Sequence, residues 1–399
     1  MLTNIEFPSE RKIYQDEKTG REIIQLTQSG SNWHFYFTDN SFTKDSDEIF
    51  YWHKEDSLNE KGRRNLFKVN IKTGERVKLT NFERYFECIG SASKTTDSEY
   101  LVFVGDNNLY VLNLITGDYR LLMHCPEGYD LGQLSISHDK KYVAICVNES
   151  ISQEYINKVL KGSASFNKNY CGFTEHMYAH KTSYLYIACM DGSGAEKVFQ
   201  DTHWMGHVQF APDSNEYVTF CHEGPWNYVQ QRIWMFNTIT RRVKPCYCQL
   251  ENDSVGHEFW TSDGLVFFDN RGPGHDGTIT SDKTQATIMD KNSKEAIPLV
   301  GFADKDCNIL KTVELPYYCN HYHANNDHSL IVADAVEDIV LMDISGDEPT
   351  IESLSVHNTS WTWQQVHCHP TWSWNNEYIL YASDKDKVGY PQLYAIKMK

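Results

Sequence analysis

Basic residues are scarce in this 399-residue chain. It contains 37 Lys and Arg against 54 Asp and Glu, which gives a formal net charge of −17 when its 17 His are counted as neutral. Nucleic acids and anionic membrane surfaces are bound through basic patches, so this balance argues against both as partners. Long apolar runs are also lacking, and no stretch approaches the roughly 18 apolar residues that a transmembrane helix needs.

Export and disulfide signals are missing as well. Residues 1–6 contain no basic segment followed by an apolar run, which a secretory signal would show. The 11 cysteines are scattered and form no Cys-x-x-Cys pair, so reduced thiols are expected rather than a disulfide framework. These observations predict a cytoplasmic protein.

Aromatic residues and a repeat are what the chain has in abundance. Its 24 Tyr, 19 Phe and 10 Trp favour strands. A strand, a tight Thr-Gly turn and a second strand recur around Gly20, Gly74 and Gly117, which is the pattern of a β-hairpin. A second pattern, a short segment followed by a turn and an apolar run, alternates with the hairpins. One unit of each kind makes a four-stranded sheet.

Seven such units are predicted, at a spacing of about 45–50 residues that is typical of a propeller blade. They begin near Phe35, Phe86, Gly132, Gly206, Gly256, Asn320 and Val366. The sequence therefore predicts an all-β fold, a seven-bladed β-propeller that occupies residues 1–399 as one domain. The hairpin near residues 12–27 precedes any inner strand, so we expect it to supply the outer strands of the last blade and close the ring.

Two units carry long insertions. Residues 150–180 are predicted to form a loop or a short helix at 154–160, and residues 270–306 to form a loop. Insertions of this kind lie on one face of a propeller and often shape its binding site. We expect them to wall the mouth of the central channel.

The most informative motif is Gln364-x-x-His367-x-His369, which places one amide and two imidazoles within six residues. On an extended strand the two imidazoles would point to the same face. His321, in a second His-x-His sequence, could add a third nitrogen, because inner strands of different blades meet at the channel. This donor set suits Mn²⁺, Fe²⁺ or Zn²⁺. A chain with 17 His could also contain one such motif by chance.

A polar loop at residues 221–234 is a second candidate region. It contains His222, Tyr228 and Arg232, and an arginine is suited to a bidentate grip on a carboxylate, although it can equally form an ordinary salt bridge. His207 and His257 lie at predicted inner strands. Each of them could face a ligand in the channel or could be a hydrogen-bonded core residue.

In their order and spacing, these motifs resemble the oligogalacturonate lyase family over most of the chain. The resemblance is carried by Gly206-His207, Phe220-Cys221-His222-Glu223-Gly224-Pro225, Val229-x-x-Arg232-x-Trp234, Gly256-His257-Glu258-x-Trp260, His321 with Asn325, His357-x-Thr359-Ser360-Trp361 and Gln364-x-x-His367-x-His369-Pro370.

The resemblance implies a metal-dependent β-elimination in pectin catabolism. The implied substrates are short oligogalacturonides such as digalacturonate and unsaturated digalacturonate, and the product is 4-deoxy-L-threo-5-hexosulose uronate. The implied cofactor is a divalent metal, Mn²⁺ being the first choice. Its ligands would be His321, Gln364, His367 and His369, and His323 is expected to lie outside the ligand set.

The same resemblance implies His257 as the Brønsted base and Arg232 as the arginine that binds the substrate. We also expect His207, His222 and Tyr228 to contact the substrate. Two alternatives remain open: a propeller lyase for another uronate-containing oligosaccharide, and a non-enzymatic binding propeller of the TolB type. A peptidase propeller is disfavoured because no Gly-x-Ser-x-Gly motif accompanies the repeat.

Overall fold

Seven antiparallel sheets account for the strands of the described residues. The computed structural model describes residues 2–60, 62–82, 86–152, 154, 155, 158, 173–280 and 297–398. The first blades use β1 (Leu2–Phe7), β2 (Lys12–Gln15), β3 (Glu22–Gln25), β4 (Ser31–His34), β5 (Glu48–Lys54), β6 (Asn65–Asn70), β7 (Arg76–Thr80), β8 (Ile89–Lys94), β9 (Tyr100–Gly105), β10 (Asn108–Asn113) and β11 (Tyr119–His124). The middle of the chain contributes β12 (Tyr129–Ile136), β13 (Tyr142–Glu149), helix α1 (Phe173–Ala179), β14 (Ser183–Cys189), β15 (Ala195–Asp201), β16 (Met205–Phe210), β17 (Tyr217–His222), β18 (Ile233–Asn237) and β19 (Val243–Pro245). The last part contributes β20 (Val255–Trp260), β21 (Val266–Asn270), β22 (Leu299–Ala303), β23 (Ile309–Glu314), β24 (Tyr322–Ala324), β25 (Leu330–Asp334), β26 (Asp338–Asp343), β27 (Thr350–Val356), β28 (Thr371–Trp372), β29 (Tyr378–Ser383) and β30 (Gln392–Lys397).

Each sheet is one blade, and this confirms the predicted all-β, seven-bladed propeller. Blades 2 to 6 have four strands each: β8–β11, β12–β15, β16–β19, β20–β23 and β24–β27. The first strand of each blade is innermost, and inner strands of neighbouring blades contact one another, as β8 and β12 or β12 and β16 do. The N-terminal ends of the inner strands therefore meet at one mouth of the channel.

The N-terminal hairpin closes the ring. β3 pairs antiparallel with β30, and β2 pairs with β3, so the last blade has the order β2-β3-β30-β29-β28. This confirms the predicted closure. The sequence analysis did not predict β1, which pairs with β7 as a fifth strand of blade 1. There Phe7 packs against Phe67, with ring centroids 5.6 Å apart.

The core lies between the blades, because each sheet is covered on both faces by its neighbours. Central strands are consequently apolar on both sides: all six residues of β29 are buried, as are five of the six in β9. Strands buried on both faces lose the alternation of apolar and polar residues that marks a half-exposed strand. This explains why apolar runs rather than alternation identified the blades.

A β-bulge recurs in the inner strands of blades 2 to 5. In each blade one extra residue separates two paired positions of the inner strand: Ile89 and Ala92, Leu131 and Leu134, Gly206 and Gln209, Gly256 and Phe259. A bulge leaves one residue outside the ladder and re-aims its side chain. These bulges lie towards the N-terminal ends of their strands, at the mouth where the predicted site residues converge.

The two predicted insertions are described only in part. Glu154, Tyr155 and Lys158 are helical, and the other residues of the predicted helix at 154–160 lie outside the described residues. The prediction of a loop across 270–306 was too long, because Leu299–Ala303 forms β22. No helix among the described residues is long and apolar enough to cross a membrane.

Candidate active site

Three imidazoles converge at the mouth of the channel. His321, His367 and His369 are buried, and each offers one ring nitrogen within 4.8 Å of the other two. The ring centroid of His321 lies 4.3 Å from that of His369 and 5.5 Å from that of His367. They come from two blades, so the fold rather than the local sequence brings the third nitrogen to the pair.

The Gln-x-x-His-x-His segment was predicted to be an extended strand, and this prediction is wrong. Gln364–Val366 forms a 3-10 turn, His367 follows it, and His369 has a positive φ of 43°. The inner strand of this blade begins only with β28. The turn nevertheless brings the side-chain amide of Gln364 to 3.4 Å from Nε2 of His369.

Asp334, at the end of β25, is a functional residue that sequence reasoning missed. Its carboxylate accepts from Nδ1 of His321 at 2.9 Å and from the backbone N–H of His321 at 2.6 Å. It also accepts from the backbone N–H of His369 at 3.3 Å. A carboxylate on Nδ1 fixes the tautomer that leaves the lone pair on Nε2, as in many metal-ligating histidines. In the sequence, Asp334 could have been noticed as an acidic residue at the end of an otherwise apolar strand.

The donor set fits a divalent metal ion. Burial lowers the pKa of His367 and His369 well below the ordinary value, and the neighbouring His321 lowers both further. Both imidazoles are therefore neutral and hold a lone pair. Within the described part of the chain, neither ring nitrogen of the fully buried His367 has a hydrogen-bond partner of normal geometry. Buried polar atoms are almost always paired. A metal ion bound to one nitrogen of His367 would supply such a partner.

His257 reaches the same mouth through the bulge of β20. Its φ is 47°, a backbone conformation that is costly for a residue with a Cβ and is often found at functional sites. Gly256 precedes it because the indole of Trp226 leaves no room for a Cβ. The ring centroid of His257 lies 4.7 Å from that of His321. Burial lowers the pKa of His257 well below its ordinary value, and His321 and Arg271 add to this effect.

Two charged residues beside His257 were also missed. Nη2 of Arg271 lies 3.3 Å from Nδ1 of His257, and Oδ1 of Asp269 lies 3.6 Å from the same nitrogen. Burial raises the pKa of Asp269 to about 7, and Arg271 opposes part of this rise. An arginine can only donate to Nδ1, whereas a carboxylate accepts its proton and leaves the lone pair on Nε2. In the sheet, Asp269 pairs with Gly256, the residue before His257, and this register places its carboxylate beside the imidazole.

His207 belongs to a buried cluster of charged residues. Its Nδ1 lies 2.9 Å from Oε1 of Glu258, and Nε of Arg232 lies 3.4 Å from the other oxygen of that carboxylate. Nη1 of Arg232 lies 3.5 Å from Glu223. Burial lowers the pKa of His207, but Glu258 and Glu223 outweigh it and leave the pKa raised. The surroundings of His207 thus favour its cationic form.

Arg232 is enclosed more completely than the sequence suggested. It is 2% exposed, its guanidinium faces Glu258 and Glu223, and its Cζ lies 5.3 Å from the ring centroid of Trp226. Its predicted role as the substrate-binding arginine remains a prediction.

Three other residues lie apart from the imidazole cluster. Nε2 of His222 is 2.9 Å from Asp201, and its Nδ1 accepts from Trp234 at 3.2 Å. Tyr228 is exposed. His323 stacks on Phe259, with ring centroids 5.4 Å apart, because β24 begins after His321 and the two histidines do not share one strand face.

A cavity of about 420 Å³ opens beside the imidazoles. Four of the predicted residues line it: His207, Gln364, His367 and His369. The others are not part of its lining: His257, His321, Arg232, His222 and Tyr228. Among the described residues, none from 150–180 or 270–306 lines it either, so its walls come from the blades themselves.

Comparisons with known proteins agree with this architecture. An oligogalacturonide lyase of Pectobacterium atrosepticum is 25% identical over 96% of this chain and 95% of its own length. An oligogalacturonate lyase of Dickeya dadantii is 23% identical over the same shares. A solved structure of an oligogalacturonate lyase in complex with manganese has a TM-score of 0.78 at 20% identity, and covers 100% of this chain and 99% of that one.

The fold and the cluster of buried imidazoles define a β-propeller with a candidate metal centre at one channel mouth. The sequence model of the oligogalacturonate lyase family matches residues 3–399. The chain belongs to the oligogalacturonate lyase family, as its motifs had predicted.

Proposed function

We propose that this chain is a divalent-metal-dependent lyase, with residues 1–399 acting as one domain, that cleaves short oligogalacturonides by β-elimination. The observation that carries the proposal is the convergence of three imidazoles and one amide at the channel mouth of a propeller from this family. The reaction removes the proton at C5 of a uronate and expels the glycosidic oxygen at C4. No water attacks the sugar, so the paired carboxylates of a glycosidase are not needed.

The ligands of the metal ion, Mn²⁺ as first choice, would be His321, Gln364, His367 and His369. Three nitrogens and one oxygen leave positions open for a substrate carboxylate. When bound, the cation offsets the charge of that carboxylate and so makes the neighbouring C–H more acidic. The proposed role of Asp334 is to accept the hydrogen bond from Nδ1 of His321, so that the lone pair on Nε2 faces the ion.

His257 is the proposed base. It is neutral in this environment, and its ring neighbours that of His321, so a carboxylate bound at the metal centre would bring C5 close to it. Asp269, 3.6 Å from Nδ1, would have to replace Arg271 as the partner of that nitrogen, and would then accept its hydrogen bond and leave Nε2 free to take the C5 proton. His207, on the cavity wall and favoured as a cation, is suited to bind an anionic group of the substrate.

The test is turnover of digalacturonate, followed by ultraviolet absorbance of unsaturated products and by chromatography. We expect activity that EDTA abolishes and Mn²⁺ restores. His257→Ala should retain its metal and lose about 10²–10⁴-fold in turnover, the usual loss when a general base is removed. Full activity in EDTA would refute the metal requirement, and near-normal turnover in His257→Ala would require another base.

Substrate length and location complete the proposal. A cavity of about 420 Å³ suits a chain end of a few sugars rather than a polymer, and the −17 charge repels long polyanions. A cytoplasmic site of action is supported by the ten described cysteines, all free thiols. Initial rates on digalacturonate, trigalacturonate and polygalacturonate at matched uronate concentration test the length preference. Faster cleavage of the polymer would refute it.

A further inference from the structure

An arginine and two indoles form the wall of the cavity on the side of blade 1. Cζ of Arg64 lies 4.9 Å from the ring centroid of Trp52 and 5.9 Å from that of Trp33. All three residues line the same cavity as Gln364 and His367. A cationic group and two aromatic faces therefore border the space beside the candidate metal centre.

Backbone carbonyls hold Arg64 in place. Its Nη2 donates to the carbonyl oxygens of Ile89 and Gly90, at the bulge of β8, where the ladder is interrupted. Two acceptors on one nitrogen, together with the stacked indoles, fix the plane of the guanidinium. The group is thus pre-organised and needs little reordering to bind a ligand.

No acidic side chain in the described part of the chain neutralises Arg64. Among the described residues, no carboxylate oxygen lies within salt-bridge distance of its guanidinium, and its buried Nε has no hydrogen-bond partner. The buried arginines near His257 differ, since Arg232 faces Glu258 and Arg271 faces Asp269. Burial lowers the pKa of Arg64 to about 10, which reflects the cost of a charge that lacks a counter-ion.

Stacking on the indoles does not account for the arrangement by itself. A cation–π contact uses the faces of the guanidinium plane, whereas its N–H groups point outward in that plane. Carbonyl oxygens engage one nitrogen and leave the remaining donors for another acceptor. With Nη2 occupied, neither two-nitrogen edge of the guanidinium is free, so one carboxylate oxygen would bind at an N–H of Nη1, and its negative charge offsets that of the guanidinium as a water molecule or a neutral hydroxyl does not.

We propose that Arg64 binds a carboxylate of the substrate, namely that of the uronate next to the one whose carboxylate faces the metal centre. This inference rests on the proposed function for the identity of the ligand. It assigns recognition of the neighbouring sugar to blade 1, where the indoles of Trp52 and Trp33 offer surfaces for its ring. It also predicts that the neighbouring uronate must carry a free carboxylate, because a methyl ester removes the charge and one acceptor.

The test measures binding without turnover. Metal-stripped full-length protein is titrated calorimetrically with digalacturonate and with its two singly methyl-esterified forms. The variants are Arg64→Gln and Arg64→Lys, and the matched control is Arg63→Gln, which removes the same charge from an adjacent, exposed residue outside the cavity lining. Thermal melting without ligand checks that each variant is folded. Since no metal and no cleavage are involved, the result does not depend on whether the chain is an active lyase.

Arg64→Gln should bind digalacturonate about 10- to 100-fold more weakly, the range for losing a hydrogen-bonded charge. One of the two esters should weaken binding to the wild type by a similar factor and leave Arg64→Gln unaffected. Arg64→Lys should be intermediate, because an ammonium keeps the charge and loses the planar group that stacks on the two indoles. Arg63→Gln should bind as the wild type does.

Wild-type affinity in Arg64→Gln, or a loss of affinity on esterification in that variant as large as in the wild type, would overturn the proposal. If Arg64→Gln does not fold, Arg64→Lys decides, and wild-type affinity and ester selectivity in that variant would overturn it. A separate activity assay of the Mn²⁺-loaded wild type then tests the proposed function. Its failure, with Arg64-dependent binding intact, would leave a uronate-binding propeller without lyase activity.

Discussion

Asp334→Asn is expected to weaken metal binding while the propeller stays folded. Asp334 is fully buried and accepts three hydrogen bonds, from Nδ1 and the backbone N–H of His321 and from the backbone N–H of His369. An asparagine of the same shape keeps one acceptor oxygen and presents an NH₂ group in place of the other. Either a backbone N–H or the imidazole of His321 then loses its acceptor, so the ring is no longer held with Nε2 towards the ion.

The expected loss of metal affinity follows from these contacts. A hydrogen bond to a charged group contributes about 1.5–3 kcal/mol, and loss of a partner that orients a metal ligand typically weakens metal binding about 10- to 100-fold, or about 1.4–2.8 kcal/mol. If free Mn²⁺ is set at about 1,000 times the wild-type Kd, binding stabilises the wild type by about 4.1 kcal/mol. The same concentration should stabilise Asp334→Asn by only about 1.4–2.7 kcal/mol.

The assay is calorimetric titration of EDTA-stripped protein with Mn²⁺, with thermal melting in the absence and presence of the ion. Asp338→Asn is the control, since this nearby carboxylate pairs with Lys18 and touches no proposed ligand. It should bind Mn²⁺ as the wild type does. Wild-type affinity in Asp334→Asn, with metal binding still dependent on His367, would refute the view that Asp334 orients a metal ligand.

Two further predictions concern the site and the bulge that positions it. The double variant His367→Ala/His369→Ala should retain no Mn²⁺ after desalting, because two of the proposed ligands are gone; full occupancy by elemental analysis would contradict the assignment. Gly256→Ala should lower the free energy of unfolding by about 1–3 kcal/mol, since its Cβ would overlap the indole of Trp226. Gly346→Ala, at an exposed and open position, should change stability by less than about 0.5 kcal/mol in the same urea titration.

The repeat made the fold predictable. The predictions that were wrong concern the parts of the chain that depart from the repeat. Seven units, a Thr-Gly hairpin pattern and an N-terminal hairpin without an inner strand were sufficient to predict seven blades and their closure. The edge strand β1 was not predicted because its position depends on an unpaired edge of β7 some 70 residues away. The apolar stretch 299–303 was taken for loop because the preceding sequence is turn-rich, although pairing with β21 makes it a strand.

The site was predictable where the motif itself supplies the chemistry. His321, His367 and His369 do converge, although the segment that carries the pair is a turn with one positive φ rather than a strand. The orienting and charged neighbours could not be found in this way, because they come from other strands. Asp334 and Asp269 became visible only through the pairing of β25 with the residues before β24 and of β21 with β20.

Those two carboxylates occupy similar positions in neighbouring blades. In blades 5 and 6 an acidic residue lies at the end of the second strand or one position before it, opposite the start of the inner strand, beside His257 in one blade and His321 in the other. The consequences differ because the neighbours differ. Asp269 has Arg271 at hand and a pKa raised to about 7, whereas Asp334 has no arginine or lysine within salt-bridge distance among the described residues. A buried carboxylate needs positive charge nearby, and at Asp334 a divalent ion behind the imidazole of His321 would supply it. The same hairpin geometry therefore suits one histidine to moving a proton and the other to holding a metal ion.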